Sequence, residues 1–225
     1  MSRTFLKIAA AATLMGAAAS ANAGFYYSDA SGAADAALSQ TAINGPGAGY
    51  NNFKSVLAYY GVNNFFLGTS LAVDGPGTLT FTLNGKEAAF NNQFNFGGNQ
   101  LFTTNGLPYS AWNEWAVSGN NAVNAGVLNF SFCVIAGGTG CVTNAGNQSS
   151  YLGTLQSIGI KIVDSETAWL LWDDGGAGPD DNHDDMVIGV KYTSVPEPAT
   201  SLLFAVGLLG VGLTMRKRVQ RGHAS

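Results

Sequence analysis

Residues 199–215 contain no charged side chain, and Arg216, Lys217 and Arg218 follow at once, with Arg221 close behind. A run like this is too apolar to stay in water. As a helix rising 1.5 Å per residue it reaches about 25 Å, the short end of what a bilayer core needs. Positive charge directly after it predicts that this end stays in the cytoplasm and that everything before it lies outside. Pro196 and Pro198 stand just ahead and end any strand that arrives there, because each removes a backbone donor and fixes φ. Gly207, Gly210 and Gly212 make the run permissive for close packing or unwinding.

The other end tells a matching story. Arg3 and Lys7 precede an apolar stretch from Ile8 to Ala19, and Ala21-Asn22-Ala23 is a small-x-small cleavage pattern ahead of Gly24. Residues 1–23 therefore read as a signal peptide. Residues 24–194 remain as one domain with a single core, and residues 195–221 form the tail. Between Gly24 and Val195 stand four lysines, no arginine and thirteen carboxylates, a balance of −9. A body of that sign lacks the cationic face that displaces counterions from phosphates, which excludes nucleic acid as a partner.

Ordered as Pro196-Glu197-Pro198, apolar run and basic cluster, the tail resembles the PEP-CTERM sorting signal of Gram-negative bacteria. That resemblance implies a substrate of an exosortase, a membrane-embedded cysteine transpeptidase. Pro196, Glu197 and Pro198 would be its recognition motif, and Arg216, Lys217 and Arg218 the retention cluster. The membrane would be engaged through residues 199–215, and the product would reach the cell surface or extracellular matrix. The bland alternative is a permanent tail anchor.

Helical periodicity is scarce between Gly24 and Val195. Short alternating or apolar segments, bounded by Gly, Asn and Pro, predict an all-β domain whose simplest packing is a β-sandwich or jelly roll. Residues 78–83 alternate cleanly and run into Asn84-Gly85, a turn signal. Residues 127–134, 157–163, 167–172 and 186–192 are further strands. Asn91-Asn92 and Gly119-Asn120-Asn121 read as loops, and residues 51–61 as either a short helix or a strand. Cys133 and Cys141 flank a glycine-rich turn, so in an exported chain they are expected to close a disulfide over a hairpin. A loop of that size contributes about 2–3 kcal/mol on the chain-entropy model.

Chemistry concentrates in residues 173–185, which hold six aspartates, Asn182 and His183. Carboxylates crowded between two strands repel, and Ca²⁺, which takes six to eight oxygens in flexible geometry, would relieve them. Asp174, Asp180, Asp181, Asn182 and Asp184 are the candidate ligands. The alternative is a solvated acidic loop with Asp-stabilised turns, in which His183 is a turn residue; the EF-hand register is absent. Residues 81–94 and 172–190 also resemble segments of other surface proteins bearing this tail, whose central domains are expected to be β-sandwiches. The second segment is similar to the Asp/Asn loop before the last strand of calcium-associated jelly-roll modules, which more often carry Asn-Asp where this chain has Asp184-Asp185. Lys86-Glu87 reads equally well as a solvent-facing ion pair.

Glu87, Glu114 and Glu166 are not paired by anything in the sequence, and no nucleophile motif accompanies His183, so the chain is not expected to be an enzyme. Trp112 and Trp115, with Tyr109 beside them, offer a stacking platform for a glycan such as an exopolysaccharide, while Trp169 and Trp172 suit a core. The expected function is a structural or adhesive module of the cell envelope, with a carbohydrate-binding module as the alternative.

Overall fold

Alternation of apolar and polar residues governs the folded part of the chain. The structure is a computed structural model that describes residues 23–28, 42–43, 65–108, 110–147, 156–175 and 183–195. The chain divides into two units, Asn22–Ser194 and the two ends Met1–Ala21 with Val195–Ser225. Of the second unit only Val195 is among the described residues.

Fifteen strands follow one another in the described residues. The first five are β1 (Phe25–Ser28), β2 (Ala42–Ile43), β3 (Phe65–Phe66), β4 (Ser70–Val73) and β5 (Gly77–Glu87). Next come β6 (Asn91–Phe96), β7 (Asn99–Thr103), β8 (Ser110–Val117), β9 (Asn121–Val123) and β10 (Gly126–Val127). The last are β11 (Phe130–Ala136), β12 (Gly140–Thr143), β13 (Ser157–Ile162), β14 (Thr167–Asp173) and β15 (Met186–Ser194). They make three antiparallel sheets. The largest runs β2-β3-β13-β14-β15-β5-β8, with β9 also on β5; a second runs β12-β11-β6-β7; a third is β1-β4-β10. The domain is all-β.

Cross-strand register shows why these segments pair. Ile158, Ile160 and Ile162 on β13 face Trp172, Leu170 and Ala168 on β14, and these in turn face Met186, Ile188 and Val190 on β15. With a period of two, all of these side chains share one face. Leu79, Phe81 and Leu83 of β5 continue it. Phe94, Phe130 and Phe132 of the four-stranded sheet pack into the same core. Aromatic contacts span the layers: Phe132 stacks on Trp172 at 5.3 Å and 10°, and Phe81 meets Phe94 at 5.1 Å. Phe25 of the small sheet packs on Tyr192 at 5.6 Å. Burying such rings is the main favourable term in a core built from strands.

Three local expectations are corrected. Asn84-Gly85 is not a hairpin turn; it lies inside β5, where the register slips against both β8 and β15. The pair makes a bulge because partners on both sides hold the strand extended, overriding its turn preference. Asn91-Asn92 is not a loop but the start of β6, fixed by pairing to β11. The apolar stretch 127–134 is broken at 128–129, giving the short β10 and then β11.

The β11–β12 hairpin sets Cys133 opposite Cys141, and the two are joined in a disulfide with Cα atoms 4.1 Å apart. Gly137 and Gly140, at φ 94° and 127°, take the left-handed conformations that the turn demands and other residues resist. Residues 51–61 lie outside the described residues.

Candidate functional site: a buried carboxylate cluster at one end of the large sheet

Backbone pairing continues past the ends of the strands and gathers the acidic residues. Beyond the Trp172–Met186 pair, Asp185 N–H donates to Trp172 O at 3.1 Å. Glu87 N–H donates to Asp184 O at 2.8 Å, so β5 also reaches past the start of β15. Asp173, the last residue of β14, faces Ser157 on β13. Asp173, Asp174, Asp184 and Asp185 are thus held at one end of three adjacent strands, together with Lys86 and Glu87, and all six are buried.

Side-chain bonds tie this end to the second sheet. Asp174 N–H donates to Asp185 Oδ2 at 2.8 Å, and Gly175 N–H to Asp173 Oδ1 at 2.7 Å. Asn92 Nδ2 donates to Asp174 Oδ2 at 2.9 Å, while Asn92 Oδ1 accepts from Trp172 Nε1 at 3.0 Å. The Asn92 backbone is fixed by Thr104, whose Oγ1 accepts from Asn92 N–H at 2.8 Å. One amide therefore satisfies an indole and a carboxylate at once, the arrangement that makes a buried polar network tolerable.

Charge is crowded here. Burial pushes the Asp185 carboxyl well above the usual carboxylate range, and Asp174, Asp173 and Asp184 push it further, against the lowering effect of the Asp174 N–H. Burial lowers the Lys86 ammonium from its ordinary value, while Asp174 and Asp185 oppose that shift. Among the described residues Lys86 is a cation whose charge bears on Asp174 and Asp185, and only 3% of its surface is exposed. His183 stands on left-handed backbone at φ 57° and is fully buried. Its Nε2 lies 2.7 Å from Ser157 Oγ in a shared hydrogen bond, and its ring meets Phe65 at 5.0 Å. Burial depresses its pKa to about 3, so the imidazole is neutral.

β15 begins beside the cluster and runs away from it to Ser194 at the opposite end of the strand. Residues 194–218 match the family model of the PEP-CTERM protein-sorting motif. The chain carries a PEP-CTERM sorting motif. The motif marks an exported protein, anchored in the membrane and handled by an exosortase-type sorting system of Gram-negative bacteria. Among curated proteins, none matches the chain significantly in sequence. The PEP-CTERM match starts at Ser194, the last residue of β15. Pro196, Glu197, Pro198, residues 199–215 and Arg216, Lys217 and Arg218 lie outside the described residues. Among the described residues no helix is long and apolar enough to cross a membrane.

Within the domain that precedes the PEP-CTERM motif, the structure brings two of the five candidate metal ligands, Asp174 and Asp184, into the cluster. Asp180, Asp181 and Asn182 lie outside the described residues. Among the described residues no three His, Cys, Asp or Glu side chains are grouped to hold a metal ion. His183 does lie at a bend, on left-handed backbone, but its side chain is buried rather than solvated. Lys86-Glu87 is not solvent-facing: pairing of these residues to Ala111 and Ser110 on β8 draws them inside. Asn92, Ser157, Lys86 and Asp185 are partners that spacing along the chain did not reveal; Asp185 belongs to the same acidic run, but the others come from strands far away in sequence. Trp115 on β8 is 41% exposed, while the side chain of Trp112 and all of Tyr109 lie outside the described residues. Trp172 is core and Trp169 is half-buried.

Proposed function

We propose that the chain is a non-enzymatic structural or adhesive protein of the cell surface or extracellular matrix. Its β-sandwich domain is exported and then released or transferred by an exosortase cutting near Pro196-Glu197-Pro198. The observation that carries this reading is the sorting motif beginning where the last strand ends. A cut there frees the whole folded unit without removing a strand. The test is the mass of the mature chain from cells with and without the exosortase. Trimming near residues 196–198 is expected only when the enzyme is present, and Glu197→Ala should abolish it. An intact C-terminus in both strains would overturn the reading.

Calcium is proposed as the stabilising ligand of the loop that spans Asp174 to Asp184, with Asp180, Asp181 and Asn182 completing the oxygen set. The raised Asp185 carboxyl supports it, since crowded negative charge is what a hard cation relieves. Lys86 competes for that role from within the fold. Titration calorimetry on the chelator-treated chain decides between them: heat with Ca²⁺ and a higher Tm support the metal, and neither removes it.

The exposure of Trp115 favours a second reading, a carbohydrate-binding module for an exopolysaccharide. A glycan array tests it, and binding unchanged in Trp115→Ala and Trp112→Ala defeats it.

A further inference from the structure

The two cysteines of the disulfide are not equally exposed. Phe130, Phe132 and Val134 of β11 enter the core, so alternation turns Ser131 and Cys133 to the opposite face of that sheet. There Cys133 is 8% exposed, enclosed by neighbouring strands, with Asn95 Nδ2 donating to its Sγ at 3.5 Å and to Ser131 Oγ at 3.2 Å. Cys141 is exposed, on β12, which ends the order of the four-stranded sheet. Val142 is the buried side chain that β12 contributes.

We propose that this disulfide is a site of thiol–disulfide exchange, entered at Cys141 Sγ by a dithiol reductant of the oxidoreductase class. The incoming thiolate bonds to Cys141 Sγ, the Cys133–Cys141 bond breaks, and the electron pair leaves on Cys133 Sγ, which is then protonated. The second thiol of the reagent attacks the mixed disulfide, releasing Cys141 as a thiol and leaving the reagent oxidised to its disulfide. Two electrons pass to the chain. Access decides which sulfur is attacked, and stabilisation of the departing thiolate favours the step. Asn95 supplies that stabilisation, because its N–H already points at Cys133 Sγ. Reduction removes one tie from a strand that keeps its ladder to β11 and the buried Val142. The bonds of Asn144 to Leu71 and Leu128 and the bond of Gln156 to Thr139 also remain, so the core of phenylalanines and Trp172 stays packed. The hairpin is thereby a redox-set clip rather than a permanent staple.

The purified full chain is treated, without denaturant, with a dithiol oxidoreductase whose second cysteine is replaced by serine, so that the mixed disulfide is trapped. Peptide mass spectrometry is expected to place the adduct on Cys141, in excess over Cys133 by at least about tenfold. Near-UV circular dichroism should stay native. An adduct on Cys133, equal adducts on both, or no reaction until denaturant is added would overturn the proposal. Asn95→Leu should slow trapping several-fold and leave the adduct at Cys141; an unchanged rate removes Asn95 from the mechanism.

Discussion

Asn92 accepts a hydrogen bond from the indole of Trp172 at 3.0 Å and donates one to Asp174 at 2.9 Å, joining β6 of one sheet to the end of β14 in another. Replacing it with leucine strands an indole N–H and removes a donor from a buried carboxylate. Each such loss costs about 1–3 kcal/mol. Asn92→Leu should lower unfolding stability by about 3 kcal/mol in urea, whereas Asn105→Leu, on an exposed turn, should change it little.

Lys86 counters the charge of Asp174 and Asp185 from inside the fold. Removing one partner of a buried charged set typically costs about 3–5 kcal/mol, because the remaining charges go uncompensated. Lys86→Met is expected to fall in that range by denaturant titration at pH 7. If Ca²⁺ shares the work, adding it should recover more stability in Lys86→Met than in the parent chain.

Two buried groups impose opposite pH dependences, to be measured with chelator present. His183, at about 3 in the fold against an ordinary 6.5, binds its proton more readily in the unfolded chain. Its contribution is complete above pH 6.5 and is lost as pH falls towards 3, at up to about 1.4 kcal/mol per pH unit. Asp185, raised well above 3.8, keeps its proton longer in the fold. Stability from that group is greatest below pH 3.8 and declines as pH rises towards its folded value. Asp185→Asn should therefore leave a curve that climbs with pH between 3 and 6.5. His183→Asn, which tolerates the left-handed backbone, should leave one that descends above 3.8. A parallel response in the two variants would contradict both assignments.

Gly159 allows β13 to pass under Phe65. A Cβ placed there would fall 2.6 Å from Phe65 Cδ2, and Phe65 is itself buried. Overpacking of this kind costs about 1–3 kcal/mol. Gly159→Val is expected to lower Tm in a thermal scan, and Phe65→Leu in the same chain to restore part of the loss.

Segments 157–163, 167–172 and 186–192 were legible as strands because a run of β-branched and aromatic residues has few other places to go. Their neighbours in space were not, and this is where local signals misled. Asn84-Gly85 carries strong turn chemistry, yet β15 and β8 on either side hold it extended. Lys86 and Glu87 follow it and look like surface residues by composition; pairing of Glu87 to Asp184 takes them inside. Asn92 looked like loop filler and is the hinge of the buried network.

The sequence alone settled what depends on solvent partition and on distance along the chain. An uncharged run bounded by Pro196-Glu197-Pro198 and by Arg216, Lys217 and Arg218 has its meaning in its order, and alternation by two decides which face of a strand is apolar. Only the tertiary structure decided which carboxylates meet, which cation stands among them, and which cysteine of the disulfide is exposed. Those properties arise between strands far apart in sequence, as where Glu87 bonds to Asp184, and there burial and cross-strand register outweigh the preference of any single residue.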